Sequence, residues 1–171
     1  LRAIGQAQDS PKRKQRIVQI KLYSKPIGAA DSEFVFLESN RVSLSYLNYD
    51  TPSKTGKFEG NVIMPRTLRP GTYKISIEIP GYLKKEYTLG NISETETTKD
   101  YTPSNIPPFF AGDISGDGTT LDTLDWNFIR NCLRDKICPD RTTLDINDDG
   151  NVDAIDYNTW LREVADWRKT Q

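Results

Sequence analysis

Apolar and polar residues alternate with a period of two along the N-terminal part of the chain. This alternation runs through residues 17–22, 42–46 and 73–79, where apolar side chains sit at every second position. It predicts strands that bury one face. Further strands are predicted over residues 34–38, 57–64 and 85–89, separated by Gly, Pro, Asn and Asp turn signals. Six or seven short strands spaced in this way predict an antiparallel β-sandwich.

The C-terminal part follows a helical period instead. Apolar residues recur there at spacings of three and four positions in two separate stretches, which predicts two amphipathic helices, each with one apolar stripe. We interpret the aromatic residues in these stripes as core rather than as a ligand surface. The two stripes consist of Trp126, Ile129 and Leu133, and of Tyr157, Trp160 and Val164.

A short acidic loop precedes each predicted helix, over Asp113–Thr119 and Asp145–Asn151. In both loops, side chains with oxygen atoms occupy the first, third and fifth positions, and a glycine occupies the sixth. A hard cation such as Ca²⁺ binds about six to eight oxygens, and glycine makes the sharp turn without a Cβ clash. A single Asp/Gly/Asn cluster is equally typical of an ordinary turn, but two clusters in register predict two Ca²⁺ sites.

The ligand sets follow from aligning the two repeats. The twelfth position of the first loop is Leu124, which cannot bind a cation, whereas alignment from the helix backwards places Asp125 opposite Asp156. We therefore expect the first loop to be one residue longer, near Thr119 or Thr120. The predicted ligands are Asp113, Ser115, Asp117, Thr119 and Asp125 in the first site, and Asp145, Asn147, Asp149, Asn151 and Asp156 in the second.

A duplicated loop-helix segment of this kind resembles a dockerin module. Gly112–Gly118 and Leu144–Gly150 match the repeat that opens each dockerin calcium loop, and Val152–Asp156 matches the stretch after it. The departures are the longer first loop, Ser115 where Asn or Asp is usual, and Asp148 where Gly is common. The resemblance covers residues 111–169. It implies a small helical fold with two EF-hand-like Ca²⁺ loops, and docking into a cohesin module in an extracellular, cellulosome-type assembly linked to polysaccharide degradation.

The resemblance also implies a partner surface at the tenth and eleventh loop positions. Leu124 and Ile155 are apolar where many dockerins carry hydroxyl groups, which favours a hydrophobic interface. The alternative is that both side chains simply pack at the helix starts. The predicted cohesin-binding residues, with Arg130, Asn131, Leu161 and Arg162 as the rim, are Thr123, Leu124, Asn127, Arg130, Asn131, Ala154, Ile155, Asn158, Leu161 and Arg162.

The N-terminal module has a looser resemblance. Leu68–Tyr82 is similar to a strand of immunoglobulin-like and carboxypeptidase-regulatory-like modules, and the X-modules that precede some dockerins are sandwiches of this kind. This implies structural support for the docking module. The alternative function is carbohydrate binding through a tyrosine platform. Its candidate residues are Tyr23, Tyr46, Tyr49, Tyr73, Tyr82 and Tyr87.

Charge divides the chain near residue 110. Residues 1–110 contain 16 basic and 11 acidic side chains, whereas residues 111–171 contain 7 and 13. This asymmetry predicts a weakly basic module followed by an acidic, cation-binding one. The expected boundaries are a basic linker at 1–15, a sandwich at 16–101, a proline-rich linker at 102–110 and the dockerin-like module at 111–169. We interpret the Lys12–Lys14 run as a solvated linker rather than a nucleic-acid contact.

Several functions are disfavoured. The chain has no histidine, which removes the commonest general base, and a glycosidase pair needs a larger fold, so we expect no enzyme activity. No apolar run approaches the roughly 20 residues of a membrane span. Because no signal peptide is visible and the chain does not begin with Met, we expect it to be a fragment of a longer protein.

The oxidation state of the two cysteines has two possible interpretations. Cys132 and Cys138 can close a small loop in an oxidising compartment or remain a pair of reduced thiols, and their number alone does not decide. The resemblance to dockerins, which belong outside the cell, favours the disulfide. It also implies an extracellular or cell-surface location in a bacterium or archaeon.

Overall fold

The computed structural model describes residues 2–3, 12–50, 55–61, 68–92 and 109–171. Antiparallel β-structure dominates the N-terminal part, and helices dominate the C-terminal part. The strands are β1 (Arg2–Ala3), β2 (Gln15–Lys25), β3 (Val35–Asp50), β4 (Thr55–Glu59), β5 (Gly71–Glu78), β6 (Gly81–Tyr82), β7 (Lys85–Ile92) and β8 (Ala111–Asp113). The helices are α1 (Thr123–Asp135), α2 (Arg141–Leu144) and α3 (Ala154–Arg168), with a 3-10 turn at Asp31–Glu33.

Six strands form one antiparallel sheet in the order β1-β4-β3-β2-β5-β7, which curls into a half-barrel. The mixed fold and the antiparallel pairing agree with the prediction, but the described residues show one curled sheet where two facing sheets were expected. The predicted strands at 34–38 and 42–46 merge into β3, which has 16 residues. Alternation specifies that a strand buries one face, but a curled sheet and a sandwich both satisfy that requirement.

One face of the sheet carries its core. Val18 and Ile20 of β2 pack with Leu44, Ile77 and other apolar residues of the neighbouring strands. The relative exposures of Val18 and Ile20 are 1% and 9%. Ile17, which lies on the opposite face of β2, is 54% exposed. The alternation seen in the sequence therefore corresponds to the two faces of β2.

The helical unit has its own core. As predicted, helices follow both loops, and their apolar stripes meet: Ile129, Trp160 and Val164 are buried, while the other stripe residues pack partly buried against them. An aspartate caps the N-terminus of α1 and of α3. The carboxylate of this residue, Asp122 or Asp153, accepts a hydrogen bond from the backbone N–H two residues further on. The structure contains a disulfide between Cys132 and Cys138, beyond which the chain turns towards α2.

The two cores meet at adjacent phenylalanines. Phe109 is fully buried in the core of the sheet, and Phe110 is buried in the core of the helical unit. Leu83 N–H donates to the Phe110 carbonyl at 2.9 Å, and β6 pairs with β8 beside this contact. The end of the predicted proline-rich linker is therefore packed into both parts; its remainder, residues 102–108, lies outside the described residues.

The predicted basic linker is also built into the fold where it is described. Residues 2–3 pair with β4, and Gln15 already belongs to β2. The segment Lys12–Arg16, which we call the basic arm, reaches the second acidic loop, while residues 4–11 lie outside the described part. None of the helices described in the structure combines the length and the apolar character needed to span a membrane.

Candidate functional site

The second acidic loop folds around the carboxylates of Asp145 and Asp156. Gly150 N–H donates to Asp145 Oδ2 at 2.9 Å, and Asp149 N–H donates to Oδ1 at 3.0 Å. Asp156 Oδ1 accepts from the N–H groups of Ile146 and Asn147 at 2.8 and 3.1 Å. The first and last acidic residues of the loop are thus tied to the same turn of backbone.

The first loop repeats this arrangement. Gly118 N–H donates to Asp113 Oδ2 at 2.8 Å, as Gly150 does to Asp145. Both glycines have positive φ, +74° and +86°, which is the left-handed turn expected at the sixth position. The local sequence therefore produces the same loop geometry twice.

In the first loop, Asp125 rather than Leu124 takes the place that Asp156 has in the second loop. Asp125 Oδ1 accepts from Ile114 and Ser115 N–H at 2.9 and 2.8 Å, and its Oδ2 accepts from Asp122 N–H at 2.9 Å. Asp125 is fully buried, whereas Leu124 is 52% exposed. This is the position that the repeat alignment predicts for the residue that closes a longer loop.

The extra residue of the first loop lies beside Asp117. Its Oδ1 accepts from the N–H groups of both Thr119 and Thr120, at 2.7 and 3.1 Å. The equivalent Asp149 Oδ1 accepts from Asn151 N–H at 2.8 Å. One aspartate in the first loop therefore organises two successive residues, which accommodates the insertion without disturbing Asp125.

Burial and mutual repulsion perturb the loop carboxylates. Burial raises the pKa of Asp113, and the neighbouring charges of Asp125 and Asp117 raise it further, against hydrogen bonds from Gly118 and Gly116. Burial likewise raises the pKa of Asp156, with Asp145 as the repelling charge. Each loop thus holds a first and a last carboxylate whose charges repel each other. A cation between them would remove that repulsion.

The outer carboxylates behave differently. Hydrogen bonds from Thr119 and Thr120 lower the pKa of Asp117, so that carboxylate stays charged. For Asp149, partial burial acts against ionisation, but hydrogen bonds from Asn151 and Asn147 outweigh it and the pKa is lowered. Asn147 Nδ2 donates to Asp149 Oδ2 at 2.9 Å, and Ser115 Oγ donates to Asp113 Oδ1 at 3.2 Å. In each loop the side chain at the third position is therefore hydrogen-bonded to one of its two acidic neighbours, at the first or the fifth position.

The donor chemistry fits a hard cation. Each loop presents carboxylate, hydroxyl or amide oxygens together with the backbone carbonyl of Thr119 or Asn151, which are the ligand types Ca²⁺ takes. Within the described residues, no three Asp, Glu, Cys or His side chains by themselves converge as a metal-binding group. The carboxylates are instead directed at backbone N–H groups of their own loops.

The predicted partner surface lies at the first turns of α1 and α3 and on one side of each helix. Leu124 and Ile155 are 52% and 42% exposed, so they do not pack into the core at the helix starts, and Leu161, further along α3, is 43% exposed. Arg130 lies over the Trp126 ring at 5.3 Å, and Arg162 donates to Thr159 Oγ1 at 3.1 Å. Residues that are also exposed or half-exposed there are Thr123, Asn127, Asn131, Ala154 and Asn158.

The tyrosines do not form one platform. Tyr73 is 3% exposed, Tyr46 and Tyr87 pack against the core of the sheet, and Tyr82 packs against both cores. Tyr23 packs edge-on against Phe36, with which it pairs in the sheet, and the side chain of Tyr49 lies outside the described part. A stacking surface that combines these six residues is therefore absent from the described structure.

Sequence reasoning missed two buried carboxylates that connect the loop regions to other parts of the structure. Glu163 is 2% exposed, accepts from Ala111 N–H at 3.1 Å and has its pKa raised to about 8 by burial. Asp148, in the second loop, is 4% exposed and pairs with the basic arm. A signal was present in both cases: Glu163 falls on the apolar stripe of α3, and Asp148 replaces the usual glycine.

Comparisons with known proteins identify no relative. Neither the family models, nor the curated proteins, nor the solved structures contain a match to this chain.

Proposed function

We propose that residues 111–169 form a calcium-stabilised, dockerin-like docking module that binds a cohesin and anchors its parent protein in an extracellular assembly. In this proposal the module has no catalytic role, and the curled sheet supports it. Its two EF-hand-like loops each hold one Ca²⁺ ion, and the exposed side of α1 and α3 contacts the partner.

The duplicated carboxylate pair is the observation that carries the proposal. Asp113 with Asp125, and Asp145 with Asp156, are buried pairs that accept hydrogen bonds from equivalent backbone positions in two loops. Buried like charges are costly unless a cation compensates them. The same costly arrangement occurs twice, beside further oxygen donors, and this favours two cation sites over two ordinary turns.

The docking surface is supported by exposed apolar residues at equivalent places in the two repeats. Leu124 and Ile155 each follow the first residue of their helix, and Leu161 lies further along α3. Exposed apolar side chains flanked by Arg and Asn fit the composition of a protein interface, with an apolar centre and a polar rim. The two repeats present similar faces, and we expect the regular second repeat to make the larger contact.

Calcium removal tests the first half of the proposal. Binding energy from loops that close around a cation becomes folding energy, so EGTA should abolish the helical circular dichroism while the β-sheet signal remains. Calorimetry of the chelated chain should then show two Ca²⁺ ions bound. As a matched control, Asp135→Asn changes an exposed acid outside the loops and should bind both ions. A helical signal indifferent to EGTA, with no heat of binding, would refute the calcium sites.

A binding screen against a panel of cohesins, with and without EGTA, tests the second half. Ile155→Asp places a charge in the proposed interface and should weaken binding by about 2–4 kcal/mol, and Leu124→Asp by less. Ile137→Asp is the control, because Ile137 is 65% exposed but lies outside the proposed surface. If Ile137→Asp weakens binding as much as Ile155→Asp, or no cohesin binds, the docking assignment is wrong.

A further inference from the structure

The basic arm is attached to the second acidic loop by a set of charge-assisted hydrogen bonds. Arg13 Nε and Arg16 Nη2 bond the two oxygens of Asp148, the latter at 2.6 Å. Arg13 Nη2 also donates to the Asp145 carbonyl at 2.9 Å, and its Nη1 donates to the Thr142 carbonyl. Lys12 N–H donates to the Asp148 carbonyl at 3.2 Å. Side chains and backbone of the arm thus hold both the entrance and the middle of the loop.

The ion pair between Arg16 and Asp148 is buried. Asp148 and Arg16 are 4% and 8% exposed, and the Arg16 guanidinium lies over the Phe58 ring at 4.7 Å. Arg16 also donates to the backbone carbonyls of Arg13 and Gln15 at 2.9 and 3.2 Å, which fixes the arm against the start of β2. The loop is therefore linked through Arg16 to the core of the sheet.

The first loop provides an internal comparison. Gly116 occupies the position equivalent to Asp148, and both residues have positive φ, +76° and +60°. Nothing lies within 4 Å of where a Cβ at Gly116 would be. Aspartate tolerates the left-handed region less readily than glycine. The second loop thus accepts a less favourable residue, which forms the contact with the arm.

We infer that Arg13 and Arg16, acting through Asp148, are positioning residues for the second cation site: the docked arm holds that loop in its closed conformation and raises its calcium affinity. The inference rests on the proposed function. By linkage, calcium in the second loop stabilises the docked arm by the same factor. The first loop lacks this contact and is independent of it.

The sign of the effect separates positioning from simple electrostatics. Arg13 brings a positive charge close to a cation site, so Coulomb's law alone predicts that its removal strengthens calcium binding. Positioning predicts the opposite, because the Asp145 and Thr142 carbonyls lose the Arg13 donor and Asp148 keeps only Arg16. Arg13→Gln is thus expected to weaken calcium binding at the second loop by about tenfold, within the usual range of coupling between two sites.

Calorimetry on the whole chain can resolve the loops one at a time. In an Asp125→Ala background only the second loop should bind, and in an Asp156→Ala background only the first. Arg13→Gln is added to each. We expect weakening in the Asp125→Ala background and no change in the Asp156→Ala background. Gly116→Asp serves as the matched control, since it places the same carboxylate in the first loop without an arginine pair, and should not make that loop sensitive to Arg13→Gln.

Limited digestion with trypsin provides a second measurement, made first on the unchanged chain. Trypsin cleaves after Lys and Arg, and four such residues lie in the arm. Cleavage within Lys12–Arg16, followed by mass spectrometry, should slow by about tenfold when calcium is added. Asp148→Asn, which tolerates the same backbone conformation, should abolish this protection. Protection that persists in Asp148→Asn would overturn the inference.

The outcomes separate the inference from the proposed function. Unchanged or tighter binding by Arg13→Gln, or equal weakening at both loops, overturns the positioning role while the calcium sites stand. A chain that binds no calcium overturns the proposed function, and the positioning role with it. Selective weakening at the second loop together with calcium-dependent protection of the arm supports both.

Discussion

The two acidic loops have the same internal hydrogen bonds and different surroundings. In both, an initial aspartate accepts from the glycine at the sixth position, and a buried aspartate at the helix start accepts from the second and third residues. The second loop is bound by two arginines of the basic arm. In the first loop, by contrast, the Gly118 carbonyl accepts a hydrogen bond from Lys84 N–H at 3.0 Å. Glu163 accepts one from the N–H of Ala111 in β8, just before this loop.

The difference shows which part of the structure of an acidic loop is local. The internal hydrogen bonds join residues close in sequence, so a short motif reproduces them in two settings. The external contacts join residues more than a hundred positions apart for the second loop, as between Arg16 and Asp148. Two loops of nearly equal chemistry can therefore differ in stability because they are supported by different groups.

The largest expected effect comes from removing the closing carboxylates. Asp125→Ala and Asp156→Ala should each reduce the calcium affinity of their own loop by about two to three orders of magnitude, since each removes a buried charged ligand. Ser115→Ala should cost less than about tenfold, because water can replace a hydroxyl. Titration calorimetry of the three variants measures this. If Leu124→Ala abolishes binding and Asp125→Ala does not, the alignment of the longer first loop is wrong.

A smaller effect is expected from Glu163, the group beneath the first loop. Its pKa is about 8 in the folded protein against an ordinary value of 4.5. Between these values the unfolded state binds fewer protons, so the free energy of unfolding should fall as pH rises, by about 2–3 kcal/mol from pH 5 to pH 7. Glu163→Gln should remove this slope in chemical denaturation at saturating calcium, which keeps the loop carboxylates ionised.

Asp166→Asn is the control for that measurement. Asp166 lies on the same helix, is exposed and pairs with Lys169. Its charge adds to the rise in the pKa of Glu163, but burial is the largest cause, so most of the pH slope should survive its replacement. A slope equally steep in Glu163→Gln would mean that other groups cause the pH dependence. Because arginine stays charged across this range, the contacts of the arm with the second loop should not contribute to it.

The smallest effect is expected from the connection between the two repeats. The Cys132–Cys138 disulfide closes a short loop, and short loops restrict the unfolded chain least. Replacing both cysteines by Ala should lower the free energy of unfolding by about 2 kcal/mol. Both loops should keep their calcium affinities. A reduced wild-type chain should match the variant in denaturation. A selective loss at one loop would show that the disulfide sets loop geometry.

The predicted elements differ in how far each was determined locally. The alternation through Val18 and Ile20 predicts β2 correctly, and the stripes of Ile129 and Trp160 predict α1 and α3. The same patterns do not reveal that residues 34–38 and 42–46 belong to a single strand, or that the sheet curls. Both depend on how strands pair, which is a property of distant residues. The exposure of Leu124 and Ile155 was likewise left open and is decided by helix packing.

The sequence by itself determined the chemistry of the two loops, because oxygen side chains at alternating positions and a glycine at the sixth act within one turn of backbone. It also determined that Asp125 stands where Asp156 does, through the repeat. Only the tertiary structure decided that Phe109 and Phe110 enter different cores, and that Asp148 meets Arg13 and Arg16. Those contacts join residues whose proximity depends on the whole chain being folded, and no local pattern encodes it.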